Sequence, residues 1–112
     1  MRKDRIASVI NREVSDIIAH ELRDPRLGFV TITTVDVSND LKTATIYFSS
    51  LNNKQEGLET LNRAKGYIKS ILAQRVRMKY MPDIEFRIDN SYEYGKKIES
   101  LLEEIGQDDK EQ

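Results

Sequence analysis

A chain of 112 residues has room for one hydrophobic core and little for a second, so a single domain is expected. It contains no cysteine, which excludes disulfides and thiolate metal sites and points to a reducing compartment, the cytoplasm. No apolar run is long enough to cross a bilayer, and the opening "MRKDRIASVI" is charged and amphipathic, unlike a signal peptide.

Apolar residues Ile6, Val9, Ile10, Val14, Ile17, Ile18 and Leu22 recur at i, i+3 and i+4 and predict one long amphipathic helix. Asp24-Pro25 ends it, because the residue before a proline is steered out of the helical region. The β-branched stretch Phe29 to Val37 and the alternating stretch Lys42 to Ser49, joined by "NDL", predict a hairpin. Val30 and Ile32 fall in opposite phase to Val35 and Val37, which asks for a bulge near Thr33. The tight turn argues against a parallel βαβ sheet.

Asn53 and Glu56 have capping-box spacing, and Leu58, Leu61, Ala64, Ile68, Ile71 and Leu72 then hold a helical phase. Gly66 sits inside that run at a cost of about 1 kcal/mol relative to alanine, so either the helix tolerates a weak point or the chain bends there. Past Val76 the period changes to alternation and the helix ends. After Pro82, residues Ile84, Phe86 and Ile88 face one way and Glu85 and Arg87 the other, a third strand with one wet face. Asn90 and Glu93 cap a final helix carrying Tyr94, Ile98, Leu101, Leu102 and Ile105, and "GQDDKEQ" reads as disordered. The fold class is α+β, a three-stranded sheet with helices on one face: a domain over residues 1–90, a C-terminal helix over 91–105 packed on it, and an acidic flexible tail over 106–112.

Catalytic chemistry is thinly provided. His20 lies off the apolar stripe beside Asp16 and Glu21 and reads as a solvated helix residue. No histidine pair is available for zinc, and the five glycines lack the spacing of a phosphate-binding loop. Glu103, Glu104, Asp108 and Asp109 read as a frayed acidic helix end rather than a metal site. We expect no enzyme activity, cofactor, metal or small-molecule substrate.

Charge distribution is more telling. The formal net charge is −1, yet residues 61–87 carry seven basic side chains against two acidic, and residues 88–112 three basic against eight acidic. A basic middle of this kind supplies counterion-releasing contacts to phosphates, and Tyr67 offers a ring on which a base can stack. A lysine-rich solvated face would use the same residues, so the pattern alone leaves both readings open.

Five stretches together, "DRIASVINREVSDIIAHELRDPRLGFVTIT", "DLKTATIYFS", "RAKGYIKSIL", "MPDIEFRIDNS" and "YGKKIESLL", resemble the ribosome-binding factor A family of bacterial small-subunit assembly factors. That family is similar to type II KH domains, in which a G-x-x-G loop between two helices clamps nucleotides. This chain has no G-x-x-G; in the family an Ala-x-Gly kink takes its place, and here Ala64-Lys65-Gly66 fills it. The resemblance implies the order α-β-β-α-kink-α-β plus the C-terminal helix. It also implies a cytoplasmic, non-catalytic monomer that binds the 30S subunit and its 16S rRNA during late maturation, assists rRNA processing and matters for growth in the cold. Carried to this chain, the RNA-contacting candidates are Arg63, Lys65, Lys69, Arg75, Arg77 and Lys79, joined by Arg2, Lys3, Arg5 and Arg12 on the first helix. The alternatives are a generic KH-like module for another RNA, or an adaptor that docks proteins through its C-terminal helix.

Overall fold

The computed structural model describes residues 2–91, so the expected C-terminal helix and acidic tail lie outside the described residues. Within them the order is α1 (Arg2–His20), a 3-10 turn (Pro25–Leu27), β1 (Val30–Val37), β2 (Thr43–Ser50), α2 (Lys54–Arg75) and β3 (Asp83–Ile88). This is the α+β, type II KH-like arrangement.

Helix α1 forms where the 3.6-residue stripe lies, and it buries Ile10, Val14, Ile17 and Ile18. Asp24 caps the short turn that follows, its carboxylate accepting from the Arg26 amide at 2.9 Å and pairing with the Arg26 guanidinium at 2.7 Å. β1 and β2 pair antiparallel, and their register shifts between Ile32 and Thr34. Thr33 is therefore the extra residue of a bulge, and that single insertion turns Val35 and Val37 inward despite their opposite phase in the sequence.

The strand order is β1-β2-β3, with β3 parallel to β2. The expectation against a parallel βαβ unit is thus corrected. The tight turn constrains only β1 and β2, whereas α2 is long enough to carry the chain back alongside β2. Ala44, Ile46 and Phe48 of the central strand, Ile84 and Phe86 of β3, and the inner faces of both helices merge into one core. The other face of β2 presents Thr43, Thr45, Tyr47 and Ser49, all half-buried.

A second correction concerns Gly66. The chain does not divide into two helices there: α2 is a single helix from Lys54 to Arg75 that runs through Ala64 and Gly66. Asn53 starts it, its side chain accepting from the Glu56 amide at 3.1 Å. Beyond Gly66 the helix buries Ile68 and Leu72 completely, each worth about 1.5–3 kcal/mol, which outweighs the roughly 1 kcal/mol that the glycine costs. The two described glycines of α2 differ in kind. A Cβ on Gly57 would touch Phe48 and Val30 at 3.4 Å, so its smallness lets α2 approach the sheet, but a Cβ on Gly66 would meet nothing within 4 Å.

Gly66→Ala should accordingly raise the urea midpoint, by roughly 0.5–1 kcal/mol of added stability, with no change in slope. A loss of stability would show that the chain needs glycine backbone freedom there. A separate expectation concerns acid. Arg26 hydrogen bonds hold the Asp24 carboxyl down at about 2, from an ordinary 3.8, so the stability it contributes is complete above pH 4 and lost as the pH falls toward 2. The stability difference between the wild type and Asp24→Asn should shrink across that window in urea titrations; a constant difference would remove Asp24 from the acid response.

Candidate nucleic-acid interface

Three chain segments far apart in sequence meet at one end of the domain: the first turns of α1, the β1–β2 turn, and the loop from Val76 to Pro82 that leads into β3. They enclose a cleft of about 890 Å³. Arg2, Arg5, Lys42, Arg77 and Lys79 line it, with Asp40 as the sole carboxylate among the lining residues. Ile6, Leu41, Met78, Met81 and Pro82 supply its apolar surface, and Tyr80 its aromatic ring.

The backbone holds these groups in place. The Asp83 amide donates to the Lys42 carbonyl at 2.8 Å, which ties the end of the loop to the turn. Asp40 stabilises that turn, accepting from the Ser38 hydroxyl at 2.7 Å and the Lys42 amide at 3.0 Å, and these bonds lower its pKa. Leu41 lies in the left-handed region at φ 63°, a conformation that costs a leucine about 1–2 kcal/mol. In return its side chain packs against the core and lines the cleft. Lys3 reaches the same turn, its Nζ 3.1 Å from the Asn39 side-chain oxygen.

Among the described residues, no carboxylate lies within ion-pair distance of Arg2, Arg5, Lys42, Arg77 or Lys79. Lys79 instead sits 5.7 Å from the centre of the Tyr80 ring. Five cations facing a single lining carboxylate, Asp40, repel one another, and a bound anion relieves that repulsion. Arg12 lies on the same side of α1 as Arg5, about 10 Å further along, so it extends the basic surface beyond the cleft; it pairs with Glu13 at 3.4 Å.

The remaining candidates separate. Lys65 and Lys69 share a face of α2 near the start of β3, and Lys69 is paired with Asp83 at 2.5 Å, an interaction that lowers the Asp83 pKa. Arg63 lies about 160° around the helix from Lys65, next to the Asp24 turn, and pairs with Glu59 at 3.9 Å. Tyr67 is exposed on the outer face of α2. Arg75 points the other way entirely. Its guanidinium meets Asp16 at 2.6 Å, Glu21 at 3.2 Å and Glu13 at 3.3 Å, so it ties the end of α2 to α1. His20 completes that cluster through Asp16 at 3.0 Å and remains exposed.

Lys42 and Tyr80 are not legible as site residues in the sequence. Lys42 reads there only as the start of a strand, and Tyr80 only as part of an alternating run; the basic neighbours of Tyr80, Arg77 and Lys79, are the available signal. Among the described residues no group of three His, Cys, Asp or Glu side chains is placed to hold a metal ion, and no helix is long and apolar enough to cross a membrane.

Comparison with known proteins places this chain in a family. The family model described as "Ribosome-binding factor A" matches residues 2–102. The chain is 42% identical over 112 residues to ribosome-binding factor A of Staphylococcus carnosus (strain TM300), covering 97% of each protein. It is 44% identical over 108 residues to that of Geotalea daltonii, covering 94% of this chain and 88% of the relative. Among solved structures, the crystal structure of ribosome-binding factor A from Thermus thermophilus superposes with a TM-score of 0.72 at 30% identity, over 77% of this chain and 94% of that one. A homology model of the Thermus thermophilus factor, fitted into a cryo-EM map of its complex with the 30S subunit, gives a TM-score of 0.66 at 30% identity, over 75% of this chain and 91% of that one.

The geometry separates Arg75 from the other basic side chains. Arg75→Ala should lower the urea midpoint by releasing α2 from α1, yet leave affinity for RNA unchanged in a filter-binding titration. A loss of RNA affinity without a loss of stability would return Arg75 to the interface.

Proposed function

Because the chain belongs to the ribosome-binding factor A family, we propose that it binds the small (30S) ribosomal subunit through phosphates of its 16S rRNA during late maturation, as a cytoplasmic monomer and without catalysis. The observation that carries this reading is the basic cleft, where five cations without carboxylate partners among the described residues surround one concavity. Phosphate is the anion that RNA presents in quantity, and each contact releases a condensed counterion. Arginine and lysine at a cleft rim recognise shape and backbone more than sequence, which suits a folded RNA target.

Such a protein needs no bond-making step. A factor that binds one conformation of a maturing RNA more tightly than another shifts the population toward it by that difference alone. Arg2, Arg5, Lys42, Arg77 and Lys79 form the primary contact in this reading. Lys3 and Arg12 extend it along α1, while Lys65 and Arg63 act as secondary contacts, and Lys69 acts so only by exchanging Asp83 for a phosphate.

Arg77→Glu combined with Lys79→Glu should abolish co-sedimentation with 30S subunits while the urea midpoint stays near that of the wild type. Wild-type binding should also weaken steeply with salt, with a log-log slope of roughly −3 to −4 for four or five phosphates. A flat salt response would favour docking on a ribosomal protein. Equal affinity for an unrelated structured RNA would favour a general RNA-binding module.

A further inference from the structure

Phosphate binding accounts for the cations of the cleft but not for the rest of its lining. Ile6, Leu41, Met78 and Met81 give it an apolar floor, with Pro82 fully buried beside them. Tyr80 lines the same cleft with 79% of its surface exposed, the largest exposure of any described aromatic residue. A ring this exposed contributes little to the core, and the Lys79 ammonium lies 5.7 Å from its centre. Duplex RNA offers phosphates and sugars on its outside and keeps its bases stacked, so it has nothing to place on an apolar floor or against an aromatic face. An unpaired nucleotide has both parts: a flat apolar base and a charged phosphate on either side.

We propose that the cleft captures an unpaired nucleotide of a single-stranded RNA segment, its base stacked on Tyr80 above the apolar floor and its flanking phosphates held by Arg2, Arg5, Arg77 and Lys79. This rests on the RNA-binding reading above and narrows it to the structural class of RNA that the cleft accepts. The volume of about 890 Å³ is sufficient for one nucleotide with part of its neighbours, being within the roughly 300–1,000 Å³ of pockets that enclose small ligands. Stacking is tolerant of base identity because every base has a π face, so the site selects unpaired over paired RNA without reading sequence. Tyr67, the ring singled out from the sequence, is less suited: it lies on the outer face of α2, away from the cleft cations.

The test compares a mixed-sequence single-stranded RNA decamer carrying one 2-aminopurine with the same decamer in a duplex. The full chain should prefer the single strand, and 2-aminopurine emission should be quenched on binding, as stacking on a ring requires. Tyr80→Ala should reduce that preference about fivefold or more and remove the quenching, whereas Tyr80→Phe, which keeps the ring, should retain both. Tyr80 is exposed, so these variants fold and their urea midpoints check it. Arg77→Glu should weaken single strand and duplex alike. If the wild type binds both RNAs and Arg77→Glu weakens both, but Tyr80→Ala changes neither preference nor quenching, the stacking proposal falls and phosphate binding stands. If the wild type binds neither RNA, the RNA-binding reading falls with it.

Discussion

One backbone pairing decides where the basic residues of this protein go. Strand β3 starts where the Asp83 amide donates to the Lys42 carbonyl and then runs parallel to β2 in the register Thr43 to Asp83 through Phe48 to Ile88. Since α2 must return the chain to that starting point, the loop between them is forced to close against the β1–β2 turn. The N-terminal turns of α1 already lie there, with Lys3 bonded to Asn39. A shift of β3 by one residue would put Ile84 and Phe86 on the wet face and move Arg77, Lys79 and Tyr80 off the cleft together. The core and the site are therefore consequences of the same register.

What the sequence makes legible follows the range of the forces involved. The α1 stripe, the Asn53 cap, the inward alternation of β3 and the Thr33 bulge are encoded by residues within a few positions of one another, and each is found where its pattern predicts. The parallel pairing of β2 with β3 is not local, and neither is the cleft, whose cations span Arg2 to Lys79. Gly66 shows the limit differently. Its local penalty is visible, but the burial of Ile68 and Leu72 that overrides it depends on the sheet beneath, which no window of the helix contains. Arg75 is similar: its partners Glu13 and Asp16 on α1, and Glu21 just past its end, lie more than fifty residues away.

Net charge conceals a division of labour among cations. Arg75 is absorbed by three carboxylates, Arg26 by Asp24, Lys69 by Asp83 and Arg63 by Glu59, so each of these side chains stabilises or decorates the fold near its own element. The exposed single pairs, Arg26, Lys69 and Arg63 with their carboxylates, are each worth little in stability, and their chief effect is to cancel charge. Among the described residues, five cations without a carboxylate within ion-pair distance, Arg2, Arg5, Lys42, Arg77 and Lys79, gather around one concavity, while Lys65 stands apart on α2. The cleft lining is therefore basic, five cations to one carboxylate, even though the whole chain carries a formal charge of −1.

Under the RNA-binding function proposed above, the same economy bears on how RNA conformations are told apart. Discrimination by differential affinity needs binding groups whose spacing does not adapt to each ligand, because a cleft that reshapes itself would accept several conformations almost equally. Here the spacing is set by elements anchored in one core: Ile6 and Ile10 of α1, Leu41 held in its left-handed turn, Met78 and Met81 packed on the cluster, and buried Pro82 before β3. A continuous α2 adds to that rigidity, since it fixes Arg75 against α1 at the very residue from which the cleft loop departs. The helix thus serves the site chiefly by where it ends, because the loop carrying Arg77 and Lys79 begins at Val76, the residue after Arg75.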